Sequence, residues 1–167
     1  MATKKIPIYL VSILLFMVLL PILCIIIQWR GQDVTLAWPL MGKWFVFWPV
    51  GVRLFIAGLR QATKPAFTAR EIFHLNSDDS FPIIKELGFA NMSMGGIAIL
   101  SLFLPSWRIP AAAAGGLYFG LAGFLHLFKK RDTSNETIAM ISDFYIFLLM
   151  ALYVVNASFG IQHPLEP

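Results

Sequence analysis

The sequence predicts an all-α integral membrane protein with about five transmembrane helices, forming a single membrane domain over residues 1–167. Three observations carry this expectation. The 167 residues are 58% hydrophobic and 13% charged, against about 45–50% and about 25% in soluble domains. Five long apolar segments run through the chain. Lysine and arginine are distributed unevenly around those segments, as they are in membrane proteins.

The first segment, 6–27, holds 22 residues without a charge. At ~1.5 Å per residue it reaches about 33 Å, enough to cross a hydrocarbon core of ~30 Å. Lys4 and Lys5 before it resemble the start of a signal peptide. The segment is too long for an ordinary signal core, however, and no small-x-small cleavage site follows it, so it reads as an uncleaved span. Pro7 lies in its first turn and is harmless there, whereas Pro21 is expected to kink it. The second segment, 41–59, carries Lys43 near one end and Arg53 inside. A long connection, 60–85, follows. Thr68 and Glu71 have capping-box spacing ahead of Ile72, Phe73 and Leu75, which predicts a short helix lying on the membrane surface. An irregular polar loop is the alternative. Residues 76–80, Asn-Ser-Asp-Asp-Ser, read as a turn.

The third segment, 87–104, is uncharged and stops at Pro105. The fourth, 109–128, has Pro110 just inside its start and His126 as its one ionisable group. Ala112, Gly116, Gly120 and Gly123 form a stripe on it, including a Gly-x-x-x-Gly spacing that admits close helix approach. His126 continues that stripe. Packing against another helix of the same chain is expected, with self-association as the alternative. The fifth segment, 137–159, holds one charge, Asp143, and Thr133 with Glu136 gives a capping-box spacing at its start.

Orientation follows from the basic residues. With the N-terminus in the cytoplasm, the inner segments hold Lys4, Lys5, Arg60, Lys64, Arg70, Lys85, Lys129, Lys130 and Arg131, and the outer ones hold Arg30, Lys43 and Arg108. Nine against three is the positive-inside bias. Trp29, Trp38, Trp44, Trp48 and Trp107 all fall at or near the ends assigned to the outer face, as an interfacial aromatic belt would. An odd number of spans places the C-terminus outside, with 60–85 cytoplasmic.

The same composition excludes several classes of function. The basic residues are dispersed among apolar runs, so the net charge of +4 is no nucleic-acid footprint. Cys24 is the single cysteine, which rules out an intrachain disulfide or a Cys-x-x-Cys pair. It reads as apolar filler. No metal-ligand spacing and no haem or flavin motif is evident, so neither a metal nor a cofactor is expected.

What remains is a set of polar groups left within or beside the spans. Arg53, Glu86, Asn91, His126 and Asp143 all fall in the half assigned to the cytoplasm, which makes them the candidate binding residues. They read either as a clasp between helices or as a binding or proton-handling site. No catalytic residue is assigned. Arg53 and Asp143 match in depth and oppose in charge, so a direct or water-bridged ion pair is expected, with Glu86 the competitor for Arg53.

Five stretches carry a resemblance: PAFTAREIF at 65–73, ELGFANMSMG at 86–95, LPSWRIPAA at 104–112, GLAGFLHLF at 120–128 and ISDFYIF at 141–147. With them, residues 44–153 resemble the DoxX-like small bacterial membrane proteins, particularly an uncharacterised branch with an extra N-terminal transmembrane helix. The resemblance implies a four-helix bundle preceded by one extra helix. Some DoxX-like proteins are associated with membrane redox complexes and quinone reduction, while the branch itself carries no catalytic assignment.

The leading expectation is therefore a small multi-pass protein of the bacterial inner membrane, not an enzyme. It would serve as an accessory subunit or bind a lipid or quinone-like small molecule. Its expected partners are membrane lipid, a quinone-like ligand, a membrane-complex subunit or a second copy of the chain. Two rivals stand beside it. One is an isomerase- or redox-type membrane enzyme using Asp143, Glu86 or His126 for proton transfer. The other is a transporter or proton pathway, against which the absence of an inverted repeat counts.

Overall fold

The computed structural model describes residues 8–31, 38–128 and 134–159. Five helices there are long and apolar enough to cross a membrane: Leu10–Gly31, Trp38–Thr63, Asp78–Leu100, Pro105–Phe128 and Thr137–Phe159. They are called the first to fifth spans below. The architecture is all-α, as the composition and the apolar runs predict, and no strand occurs among the described residues.

The helices outrun the apolar segments, and the differences have physical causes. The second span covers 38–63 instead of 41–59. Polar residues at its ends do not stop the helix, because Arg60 extends its guanidinium over the Phe67 ring at 3.7 Å, and long cationic side chains reach the membrane edge from inside a helix. The third span starts at Asp78 instead of 87 and ends at Leu100 instead of 104. Ser77 caps its first turn, its hydroxyl accepting from the Asp79 N–H at 3.2 Å, and Lys85 and Glu86 simply sit exposed on the helix. Its far end passes through a turn at 101–103 into a 3-10 turn at Pro105–Trp107. The fourth and fifth spans run as helices Arg108–Phe128 and Ser134–Phe159. The side chains of the Thr133 and Glu136 spacing lie outside the described residues.

The connection between the second and third spans shrinks from 60–85 to 64–77, and it does contain a short helix, over 65–72. Pro65, not Thr68, opens that helix, with Lys64 as the cap residue. Proline is suited to a first helical position, where the missing N–H has no partner to lose. Thr68 is buried inside the helix, so the capping-box reading there is corrected. The helix ends at Ile72, and His74 two residues on has a φ of 57°, the left-handed geometry common after helix C-termini.

Besides Thr68–Ile72 in the connecting helix, two wide π-helical stretches occur, Leu15–Leu19 in the first span and Val46–Arg53 in the second. Each is associated with a proline, Pro21 just beyond the one and Pro49 inside the other. A proline has no N–H to give to the carbonyl four residues back, and its ring crowds that carbonyl. A locally widened turn relieves both difficulties, a common accommodation within membranes. Thus Pro21 is absorbed in a continuous helix. The wide turns lie against each other, with the Phe16 and Trp48 ring centroids 6.1 Å apart.

Glycine sets the helix approaches. A Cβ added at Gly58 would stand 2.5 Å from the Gly88 carbonyl oxygen, and one at Gly95 would stand 2.6 Å from the Phe55 backbone nitrogen. Second and third spans therefore meet backbone to backbone. The fourth-span stripe meets side chains of the fifth span, Gly116 at Met150, Gly120 at Phe147 and Gly123 at Phe144. The predicted intrachain packing of that stripe holds. Val46, Val50, Phe119, Ile146 and Met150 fill the centre, while Leu117, Leu121, Leu125 and Phe128 point outward, as a lipid-facing surface requires. The first span is the least buried of the five.

Candidate functional site

The centre of the bundle holds a polar cluster built from four spans. Asn91 of the third span is 1% exposed. Its side-chain nitrogen donates to Gln61 Oε1 of the second span at 2.7 Å. Its own Oδ1 is buried without a hydrogen-bond partner. Tyr118 of the fourth span is a side-chain hydrogen-bond neighbour of Asn91, and its hydroxyl lies in the fields of Asp143 and Arg53. Asp143 of the fifth span is 7% exposed, and the cation acting on it is Arg53. Arg53 closes the wide turn Val46–Arg53, with its guanidinium carbon 5.7 Å from the Phe119 ring centroid.

Arg53 and Asp143 thus face each other, as their charge and depth predict, but not in contact. Among the described residues the ion pair within 4.0 Å is Arg70 with Asp78, at 2.8 Å on the surface. A direct Arg53–Asp143 pair is therefore corrected to a separated one, each group in the other's field. One unpartnered acceptor, Asn91 Oδ1, stands near the Tyr118 hydroxyl, and the Asp143 carboxyl lies in the field of the Arg53 guanidinium. A water that joins such groups needs two to four polar partners, and this cluster supplies them.

Arg53 is the deep member of the cluster, whereas Gln61 lies two residues from the end of the same span. Arg53 is ten residues from the end of its span at Thr63, or about 15 Å at ~1.5 Å per residue.

Of the five candidate residues, the structure gathers Arg53, Asn91 and Asp143 and separates the other two. Glu86 is exposed on the third span and is no competitor for Arg53. His126 lies at the far end of the fourth span, where it lines an apolar cleft of about 230 Å³ with Ile72, Phe73, Leu125 and Phe128. The cleft is formed where the short helix over 65–72 passes the end of the fourth span.

Gln61 and Tyr118 are the members that sequence reasoning missed. Gln61 was hidden by placing it in the loop, one residue beyond Arg60. Tyr118 lies in the outward portion of an apolar run, where tyrosine raises no signal by itself.

Cys24 is more than filler. Its sulfur accepts from Trp48 Nε1 at 3.3 Å, and Gln28 accepts from Lys43 Nζ and Trp44 Nε1, each at 3.0 Å. These bonds fasten the first span to the second.

A family model described as a family of unknown function, DUF6790, matches residues 11–160, and the chain belongs to that family. No curated protein and no solved structure matches the chain.

Proposed function

We propose that this member of the DUF6790 family is a small protein of the bacterial cytoplasmic membrane that binds a lipid- or quinone-like molecule. It would do so alone or as an accessory subunit of a membrane complex, with its N-terminus inside and its C-terminus outside. The observation that carries this reading is the cleft lined by Ile72, Phe73, Leu125, His126 and Phe128, about 230 Å³ in volume. Whole small-molecule ligands occupy pockets of about 300–1,000 Å³. A smaller, half-open cleft beside a lipid-facing helix suits a ring-sized head group whose apolar tail stays in the bilayer. Phe128, 81% exposed, and Leu121, 71% exposed, extend the apolar surface along which such a tail would lie. His126 is the ionisable group of the lining. A kinship with DoxX-like proteins, some of them associated with quinone reduction, accords with this reading.

Native mass spectrometry of the detergent-solubilised chain tests it. The expected spectrum shows a retained lipid or quinone that is lost or weakened in Phe73→Ala and His126→Leu. A spectrum free of small-molecule adducts, or adducts indifferent to both substitutions, would sink the binding reading. A retained protein subunit in their place would favour the accessory role alone.

A second reading has its own observation, the unpartnered Asn91 Oδ1 next to Tyr118, whose hydroxyl lies in the field of Asp143. In that reading the central cluster handles a proton, with Asp143 as the carrier and Tyr118 as its neighbour. Substituting Asp143→Asn while leaving the cleft intact distinguishes the two, because ligand retention would persist and any proton-coupled activity would not.

A further inference from the structure

We propose that Lys43 and Arg108 together hold a phosphate-type anion at the end of the bundle opposite the 65–72 helix. Lys43 lies in the first turns of the second span and Arg108 opens the helix of the fourth. The positive charge of Arg108 acts on Lys43 and also on the Tyr153 hydroxyl of the fifth span. Tyr153 is 6% exposed, and its ring packs against Gly42, the residue before Lys43. Three spans thus bring two cations and a phenol together.

No carboxylate among the described residues joins them. Lys43 spends one N–H on Gln28 at 3.0 Å and lies 4.8 Å from the Trp44 ring centroid. Arg108 Nε is buried and has no hydrogen-bond partner. A buried donor atom without an acceptor is costly, and two neighbouring cations repel. An anion with several oxygens resolves both difficulties. It accepts from the free Arg108 nitrogen and from the remaining Lys43 protons while its charge offsets theirs. Arginine supplies the planar fork that suits phosphate oxygens, and lysine supplies the point charge. The depth also fits, since Trp38, Trp44 and Trp107 mark this end as a membrane–water boundary, where the phosphates of lipids lie. The phosphate could be the phosphodiester of a lipid or free inorganic phosphate, and the test separates these sources.

The purified full chain in a neutral detergent is examined by native mass spectrometry and thermal unfolding with phosphatidylglycerol, phosphatidylcholine or inorganic phosphate added. The expected result is retained phospholipid and a raised midpoint. Arg108→Gln and Lys43→Gln each weaken binding about tenfold, the scale of one lost charged hydrogen bond. Arg30→Gln, at an exposed cation on the same end, leaves binding unchanged, and Arg108→Lys keeps part of it, which separates lost charge from lost folding. Stabilisation by inorganic phosphate with the same dependence on Lys43 and Arg108 assigns the free anion as the source. Phospholipid and phosphate binding indifferent to both substitutions overturns the proposal. So does a wild-type chain that binds neither phospholipid nor inorganic phosphate.

Discussion

Arg53 and Asp143 show how a charge survives in the middle of a bundle without a direct partner. A lone charge near a helix centre costs about 2.5–3.5 kcal/mol on insertion scales, and truncating one member of a buried set leaves the other uncompensated at about 3–5 kcal/mol. Arg53→Leu and Asp143→Leu are each expected to lower stability strongly, and the double substitution to recover much of the loss. Unfolding in detergent, read as a double-mutant cycle, measures the coupling, expected within about 0.5–3 kcal/mol across the gap. Arg53 and Glu86, one inside and one exposed, should give additive losses. Coupling of Arg53 to Glu86 in place of Asp143 would defeat this description. The charged members of the cluster were legible in the sequence because an ionisable group stands out in an apolar run. Gln61 and Tyr118 were not, since glutamine near a span end and tyrosine within one are both commonplace. Their role comes from the partner across the helix interface, which spacing along one helix does not encode.

At the scale of helices, two glycine interfaces hold the bundle, and they differ in what the glycine faces. Gly88 faces backbone, with the Ala62 nitrogen and Gly58 oxygen each 2.7 Å from an added Cβ. Gly123 faces the Phe144 ring at 3.3 Å, and Gly96 faces nothing within 4 Å. Backbone cannot yield as a ring can. Gly88→Ala is therefore expected to cost about 1–3 kcal/mol by overpacking, with Gly123→Ala close to neutral. Gly96→Ala should stabilise by up to about 1 kcal/mol through helix propensity. Thermal midpoints in detergent rank the three, and a Gly88→Ala midpoint at or above that of Gly96→Ala would refute the interface. The fourth-span stripe was visible in the sequence because its glycines recur at three and four residues. The pairs Gly51 with Gly58 and Gly88 with Gly95 recur at seven, and Arg53 and Lys85 among them drew attention to charge instead of to close approach.

For the whole molecule, the five spans and their all-α architecture were readable from hydropathy, while their ends were not. Hydropathy detects where polarity begins, but the hydrogen-bonded helix continues through Arg60 and starts again well before Lys85. The orientation remains open to a direct measurement. A reporter active only outside the cytoplasm should work when fused after Gln162 and fail when fused after Arg131, and equal behaviour at both sites would contradict a cytoplasmic N-terminus with five crossings. The wide turn Val46–Arg53 adds a consequence for chain length. Such a turn holds a residue more than an ordinary helical one, so it can lose a residue and still close. Deleting Val52 would tighten it toward regular helix and leave Gly58 facing the third span. Deleting Ala57, in the regular helix beyond, would swing everything after it by about 100° and turn Gly58 away from Gly88. Folded yield on size exclusion should therefore survive the first deletion far better than the second, which makes this turn the place where the second span can lose a single residue and keep its partner.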